Sequence, residues 1–132
     1  MRSCIWVFDS EAKLPPFAYS IGFTSSYDHA EVVVAGFAEE LSGSVLSSVQ
    51  SMLTDGRVYR DGDASGEILE GAEVRFRALS RDILISNLVQ ATVFYGEDSF
   101  DALQLLWPDR NGRFPEEEDA PVWLSDRQSL LP

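Results

Sequence analysis

Asp28, His29 and Glu31 lie within four positions of one another, with Ser20, Ser25 and Ser26 just upstream. Carboxylate, imidazole and hydroxyl are the parts of a nucleophilic hydrolase. The acid orients the imidazole and the imidazole takes the hydroxyl proton. His29 is the only histidine, so a base of this kind would have to be His29. No Gly-x-Ser-x-Gly elbow presents a serine to it, and the competing reading is that His29 ties down a loop. A second candidate is "DGDASGEILEGA", Asp61–Ala72, where Asp61, Asp63 and Ser65 alternate ahead of Gly66 and Ile68. A helix–loop–helix calcium site needs a bidentate Glu at the twelfth position, and that position is Ala72. The stretch therefore reads as a turn-rich connection between two β segments, with Asp and Gly serving backbone geometry. Cys4 sits in an apolar run, where a thiol is inert packing. One Cys and one His are too few for zinc. The sole lysine, Lys13, belongs to no phosphate-binding glycine loop.

These residues hang on a legible set of elements. "SCIWVF", Ser3–Phe8, reads as a strand buried on both faces. "DSEAKLPP" connects it to "FAYSIGF", Phe17–Phe23, whose alternation puts Phe17, Tyr19, Ile21 and Phe23 on one face. Ala18, Ser20 and Gly22 share the other. That small-residue face admits a packed helix, or a flat ligand or phosphate near Thr24–Ser26. "EVVVAGF", Glu31–Phe37, is a third strand. The period then turns helical over about 38–55, with Leu41, Val45, Val49, Met52 and Leu53 on one stripe and Glu39 and Glu40 in the first turn. "VRFRAL", Val74–Leu79, alternates again, with Val74, Phe76 and Ala78 inward. Ser80 could cap a second helix near 81–95, although its "TVFY" end suits a strand equally well. "ALQLLW", Ala102–Trp107, is a late strand in which Gln104 must find buried hydrogen-bond partners. "PDRNG" turns, and 115–132 reads as a loop-rich acidic tail.

Bulk properties narrow the function. A chain of 132 residues, 45% hydrophobic, fits one globular domain over 1–132. A single cysteine and an N-terminus unlike a signal peptide point to a reducing, cytoplasmic setting. No apolar run is long enough to span a membrane. The net charge of −12 argues against nucleic acid and anionic membranes and favours a basic partner.

Three stretches in order, "PPFAYSIGF", "HAEVVVAGF" and "ALQLLWPDRNGRFP", resemble the bacterial family known as domain of unknown function 4262. The likeness spans about Cys4–Pro115. Ser20, Phe23 and Ala30 stand where that pattern has Thr, Leu and Pro. By motif match the resemblance implies Tyr19, Ser20, Gly22, His29, Glu31, Gln104, Trp107 and Asp109 as binding positions, and it implies no particular activity. The order of elements is also similar to the flavin-binding split-barrel fold, which would bring FMN, its phosphate near the small polar residues of the second and third strands.

The expectation is thus an α+β domain: a mostly antiparallel sheet, half-closed if split-barrel-like, with one or two helices packed on it. The leading functional reading is a non-enzymatic cytoplasmic binding protein with no cofactor and no metal. It would be an antagonist or immunity-type protein that masks a basic partner, with Glu116, Glu117, Glu118 and Asp119 on the acidic surface. The alternatives are a flavin-binding oxidoreductase and a hydrolase around His29.

Overall fold

A computed structural model of the chain describes residues 3–8, 11 and 15–130. The connection expected over 9–16 lies mostly outside them. The described elements run in the order β1 (Ser3–Val7), β2 (Phe17–Ile21), α1 (Phe23–Tyr27), β3 (Glu31–Ala35), α2 (Glu39–Thr54), β4 (Ala64–Leu69), β5 (Ala72–Ala78), α3 (Arg81–Asn87), α4 (Val89–Tyr95), β6 (Ala102–Leu106) and α5 (Val122–Arg127). The six strands form one sheet in the order β1-β2-β3-β6-β5-β4. Only β3 and β6 pair parallel; every other pairing is antiparallel. The fold is α+β and mostly antiparallel, as the sequence indicates. Its sheet is open, with β1 and β4 at its edges, and five helices accompany it among the described residues. Among the described residues no helix is long and apolar enough to cross a membrane.

Strands β2, β3 and β6 are buried at every position, because helices cover both faces of the sheet. Near-continuous apolar runs such as "EVVVA" are what such central strands require. On one face Ala18, Val32, Val34, Leu105 and Phe76 pack against Val45, Leu46, Val49 and Leu53 of α2. On the other, Phe17, Tyr19, Val33 and Ala35 pack against Leu84, Leu88 and Ala91 of α3 and α4.

Several expectations are corrected. β1 is an edge strand: it pairs only with β2 among the described residues, Cys4 is exposed, and Ile5, Trp6 and Val7 are half-buried. An apolar run does not reveal whether it has one neighbour or two. Phe23 does not share a face with Tyr19. The strand ends at Ile21, Gly22 turns at φ +127°, and Phe23 opens α1 toward the α2 face. Leu41 is 43% exposed, and Ser42 and Leu46 complete the buried stripe instead. Ala78 is exposed at the end of β5. The stretch Asp61–Ala72 is itself half strand, with β4 turning back on β5 through Glu70 and Gly71. The helix near 81–95 is two helices broken at Leu88 (φ −96°, ψ 59°), and "TVFY" is helical. Ser80 caps the first of the two by accepting from the Ile83 N–H.

The tail is also more than loop. α5 places Leu124 in the α2-side core. Gln128 then acts as a substitute strand: its side-chain amide accepts from the Trp107 N–H (3.0 Å) and donates to the Trp107 carbonyl (2.9 Å). Gly36 is the point against which α5 closes. Its φ is +92°, and a Cβ there would lie 2.6 Å from the Arg127 carbonyl oxygen and 2.9 Å from the Trp107 ring. Gly36→Ala is therefore expected to destabilise the fold by about 2 kcal/mol or more. The measurements are the urea midpoint and amide exchange across 122–130; wild-type values would mean that α5 does not close on this turn.

Candidate functional site

A carboxylate organises the end of the sheet where the motif residues gather. Glu31, first in β3, is fully buried. Its Oε1 accepts from the Ser20 hydroxyl (2.7 Å) and the Phe23 N–H (3.1 Å). Its Oε2 accepts from the N–H groups of Gly22 (3.3 Å) and Thr24 (2.8 Å) and from the Tyr95 hydroxyl (2.8 Å). The Ser20 oxygen accepts in turn from the Val32 N–H, and the Tyr95 oxygen from the Gly22 N–H. Glu31 is thus a remote cap for α1, whose own N-cap, Gly22, has no side chain to offer. Backbone and hydroxyl dipoles solvate the charge, with no basic side chain pairing it among the described residues. Of the N–H groups near Thr24–Ser26 that a flavin phosphate would seek, that of Thr24 donates to this internal anion and that of Ser26 to the Gly22 carbonyl.

His29 is buried, and both its ring nitrogens are engaged. Nδ1 donates to the Ala30 carbonyl (2.7 Å), which leaves Nε2 to accept from the Tyr59 N–H (3.0 Å). The imidazole ties the segment before β4 to the turn before β3. Ser25 bonds back to the Gly22 carbonyl, so no hydroxyl meets a free imidazole nitrogen. Asp61 and Asp63 are used likewise, accepting from the N–H groups of Ala78 and Arg60.

Gln104 and Trp107 lie toward α5, away from the Glu31 cluster. Gln104 donates to the Gln128 carbonyl (2.6 Å), and the Trp107 indole donates to the Ala35 carbonyl (2.8 Å). Asp109 shapes the following turn, accepting from the N–H groups of Asn111 and Arg113 and from the Arg113 guanidinium. Burial pushes its carboxyl up, but those N–H groups and the adjacent guanidinium outweigh it and hold the carboxyl below its ordinary value. In the acidic stretch, Glu116 pairs with Arg75 and Arg77, and Glu117 accepts from the Phe114 N–H and faces Arg75. Glu118 and Asp119 are exposed. The motif-matched residues are therefore ties at separate points of the scaffold, not one constellation.

Of the motif-matched residues, Tyr19 is the one that lines a cleft among the described residues. A cleft of about 640 Å³ lies between β1–β2, the α3–α4 corner and the C-terminal segment. Ile5, Val7, Phe8, Phe17, Val89 and Leu130 supply most of its apolar wall, with Ser86, Asn87, Gln90 and Ser129 at its polar points. The Tyr19 hydroxyl accepts from the Gln90 N–H (2.9 Å), and its own proton meets no acceptor among the described residues. Burial pushes this phenol above its ordinary value, against the Gln90 and Ala91 N–H groups that pull it down, so it stays a neutral donor. None of the described lining residues is charged. Sequence reading missed this cleft. Val89 of its wall belongs to an apolar set with Val93 and Phe94 that is exposed on a helix burying little but Ala91. The partners Tyr95 and Gln128 were equally invisible, since each acts across more than twenty residues of chain.

The chain matches the family model described as "Domain of unknown function (DUF4262)" over residues 2–121. No curated protein matches it, and no solved structure does. The chain belongs to that family.

Two outcomes follow from this geometry. Glu31→Ala leaves buried donors without an acceptor and is expected to destabilise the fold by at least about 3 kcal/mol; a urea midpoint within error of wild type would refute the capping role. Asp109 has a folded-state value below its unfolded one. Its contribution is complete above the ordinary carboxylate range and is lost as pH falls through the lowered value. Asp109→Asn should therefore flatten the acid limb of stability between neutral pH and about pH 3, followed by denaturant titration at each pH.

Proposed function

We propose that this protein is a non-enzymatic cytoplasmic binding protein whose site is the cleft beside β1, and whose partner is a basic protein. The observation that carries the reading is the cleft itself. Its volume of about 640 Å³ falls within the usual range for binding sites, roughly 300–1,000 Å³. Its wall is apolar with a few polar points, and one of them, the Tyr19 hydroxyl, holds a proton with no acceptor among the described residues. The groups that would perform chemistry are committed elsewhere: His29 through both nitrogens and Glu31 through both oxygens. A flavin in the cleft would set its phosphate among described lining residues none of which is a cation. The single cysteine and the charge of −12 support a reducing compartment and steering of a positively charged partner.

The neutral fluorophore N-phenyl-1-naphthylamine tests the site. It is expected to bind saturably at one site per chain, and Val89→Glu, at an exposed helix position, should weaken it by about tenfold without changing stability. Absence of saturable binding, or an unaffected Val89→Glu variant, would remove the cleft from consideration.

A further inference from the structure

The two edges of the sheet are built differently. β4 carries Glu67, is largely exposed and pairs with an irregular register between Ser65 and Leu69. Charges and bulges of that kind keep an edge from adding another strand. β1 has no such protection. Ser3–Val7 contains no charge and no proline, and it pairs with β2 in unbroken register. Among the described residues nothing pairs with its outer side, where backbone N–H and C=O groups point away from the sheet.

The faces on either side of that edge differ in chemistry. Ile5 and Val7 pair with Tyr19 and Phe17 and share their face, where the cleft opens. Cys4 and Trp6 share the opposite face with Ala18, toward α2, which packs against β1. There the first turn of α2 holds Glu39 and Glu40, both exposed. Partial burial raises the Cys4 thiol, and the negative charge of Glu39 raises it further. A strand added beside β1 would send alternate side chains onto these two faces.

We propose that the outer edge of β1 receives an extended segment of the partner as a seventh strand, with apolar side chains entering the cleft and alternate basic side chains lying against Glu39 and Glu40. This rests on the binding-protein reading and specifies the partner's chemistry. A second copy of the chain suits the edge poorly, since it brings the same two glutamates and another charge of −12.

The probe is a capped six-residue peptide alternating valine and lysine, read by fluorescence anisotropy against the intact protein. It is expected to bind at least about tenfold more tightly than its valine–glutamate counterpart and to weaken as salt rises from about 50 mM to about 0.5 M. N-methylation of every second amide should abolish binding in one of its two phases, because only one set of amides faces β1. Glu39→Gln with Glu40→Gln should weaken the lysine peptide about tenfold while leaving N-phenyl-1-naphthylamine binding unchanged. Equal affinity for both peptides, indifference to methylation in both phases, or a stable dimer paired through β1 would overturn the proposal. If the fluorophore binds and the peptide does not, the edge proposal fails while the cleft reading stands; if neither binds, both fail.

Discussion

A buried carboxylate with no pairing cation among the described residues is the constraint around which this end of the fold is arranged. Glu31 begins the central strand β3, where it is out of water. An isolated charge there would be prohibitively unfavourable. The chain answers with dipoles: Gly22, Phe23 and Thr24 present successive N–H groups, and Ser20 and Tyr95 add hydroxyls. Meeting that demand sets the chain path. β2 must end at Ile21, the backbone must turn at Gly22, and α4 must come close enough to bring Tyr95 across the sheet end. The position of α4 then fixes one wall of the cleft, since Gln90 on the same helix holds the Tyr19 hydroxyl.

A second set of ties closes the opposite flank. Trp107 continues from β6, stacks on Phe37 and bonds to the Ala35 carbonyl, while Gln128 takes both backbone groups of Trp107. Together with Gln104 these contacts hold the C-terminal segment on the sheet, and Leu130 reaches the cleft as a result. The polar residues that look most reactive in the chain thus shape the cleft from a distance. Tyr19 is both a tie and a lining residue.

The proposed binding surface has the opposite character: apolar, shallowly polar and next to a strand edge that nothing pairs among the described residues. A deep charged site would steer and orient a small anion. This arrangement instead offers shape, main-chain hydrogen bonds and a negative surround, which suits an extended basic segment more than a phosphorylated cofactor. The acidic surround is not uniform. Glu116 and Glu117 face Arg75 and Arg77 of the same chain, so the charge available to a partner lies elsewhere, with Glu39 and Glu40 among its exposed members.

What was legible in the sequence was local. Alternation in "FAYSI", the continuous apolar run "EVVVA" and the helical stripe through Val45, Val49 and Leu53 each follow from burying one face or both, and the structure has strands and a helix there. Ser80 as a cap was legible for the same reason: it acts within a few residues of itself. The sequence could name Gln104 as a residue needing an explanation, because a polar group in an apolar run must find partners, while Glu31, His29 and Asp109 stood out through the family resemblance and His29 also as the sole histidine. It could not name the partners, since Tyr95, Tyr59 and Gln128 lie far along the chain and only packing brings them near. Nor could it tell an edge strand from a central one, since "SCIWV" and "EVVVA" are both apolar and differ only in their neighbours. By itself, then, the sequence determined the central strands, the long helix α2, the α+β class and the acidic balance, all properties that sum over local residues. The tertiary structure alone decided that the apparent catalytic group is a cap and a tie, and that a cleft opens beside a bare strand edge, because both depend on which distant surfaces meet.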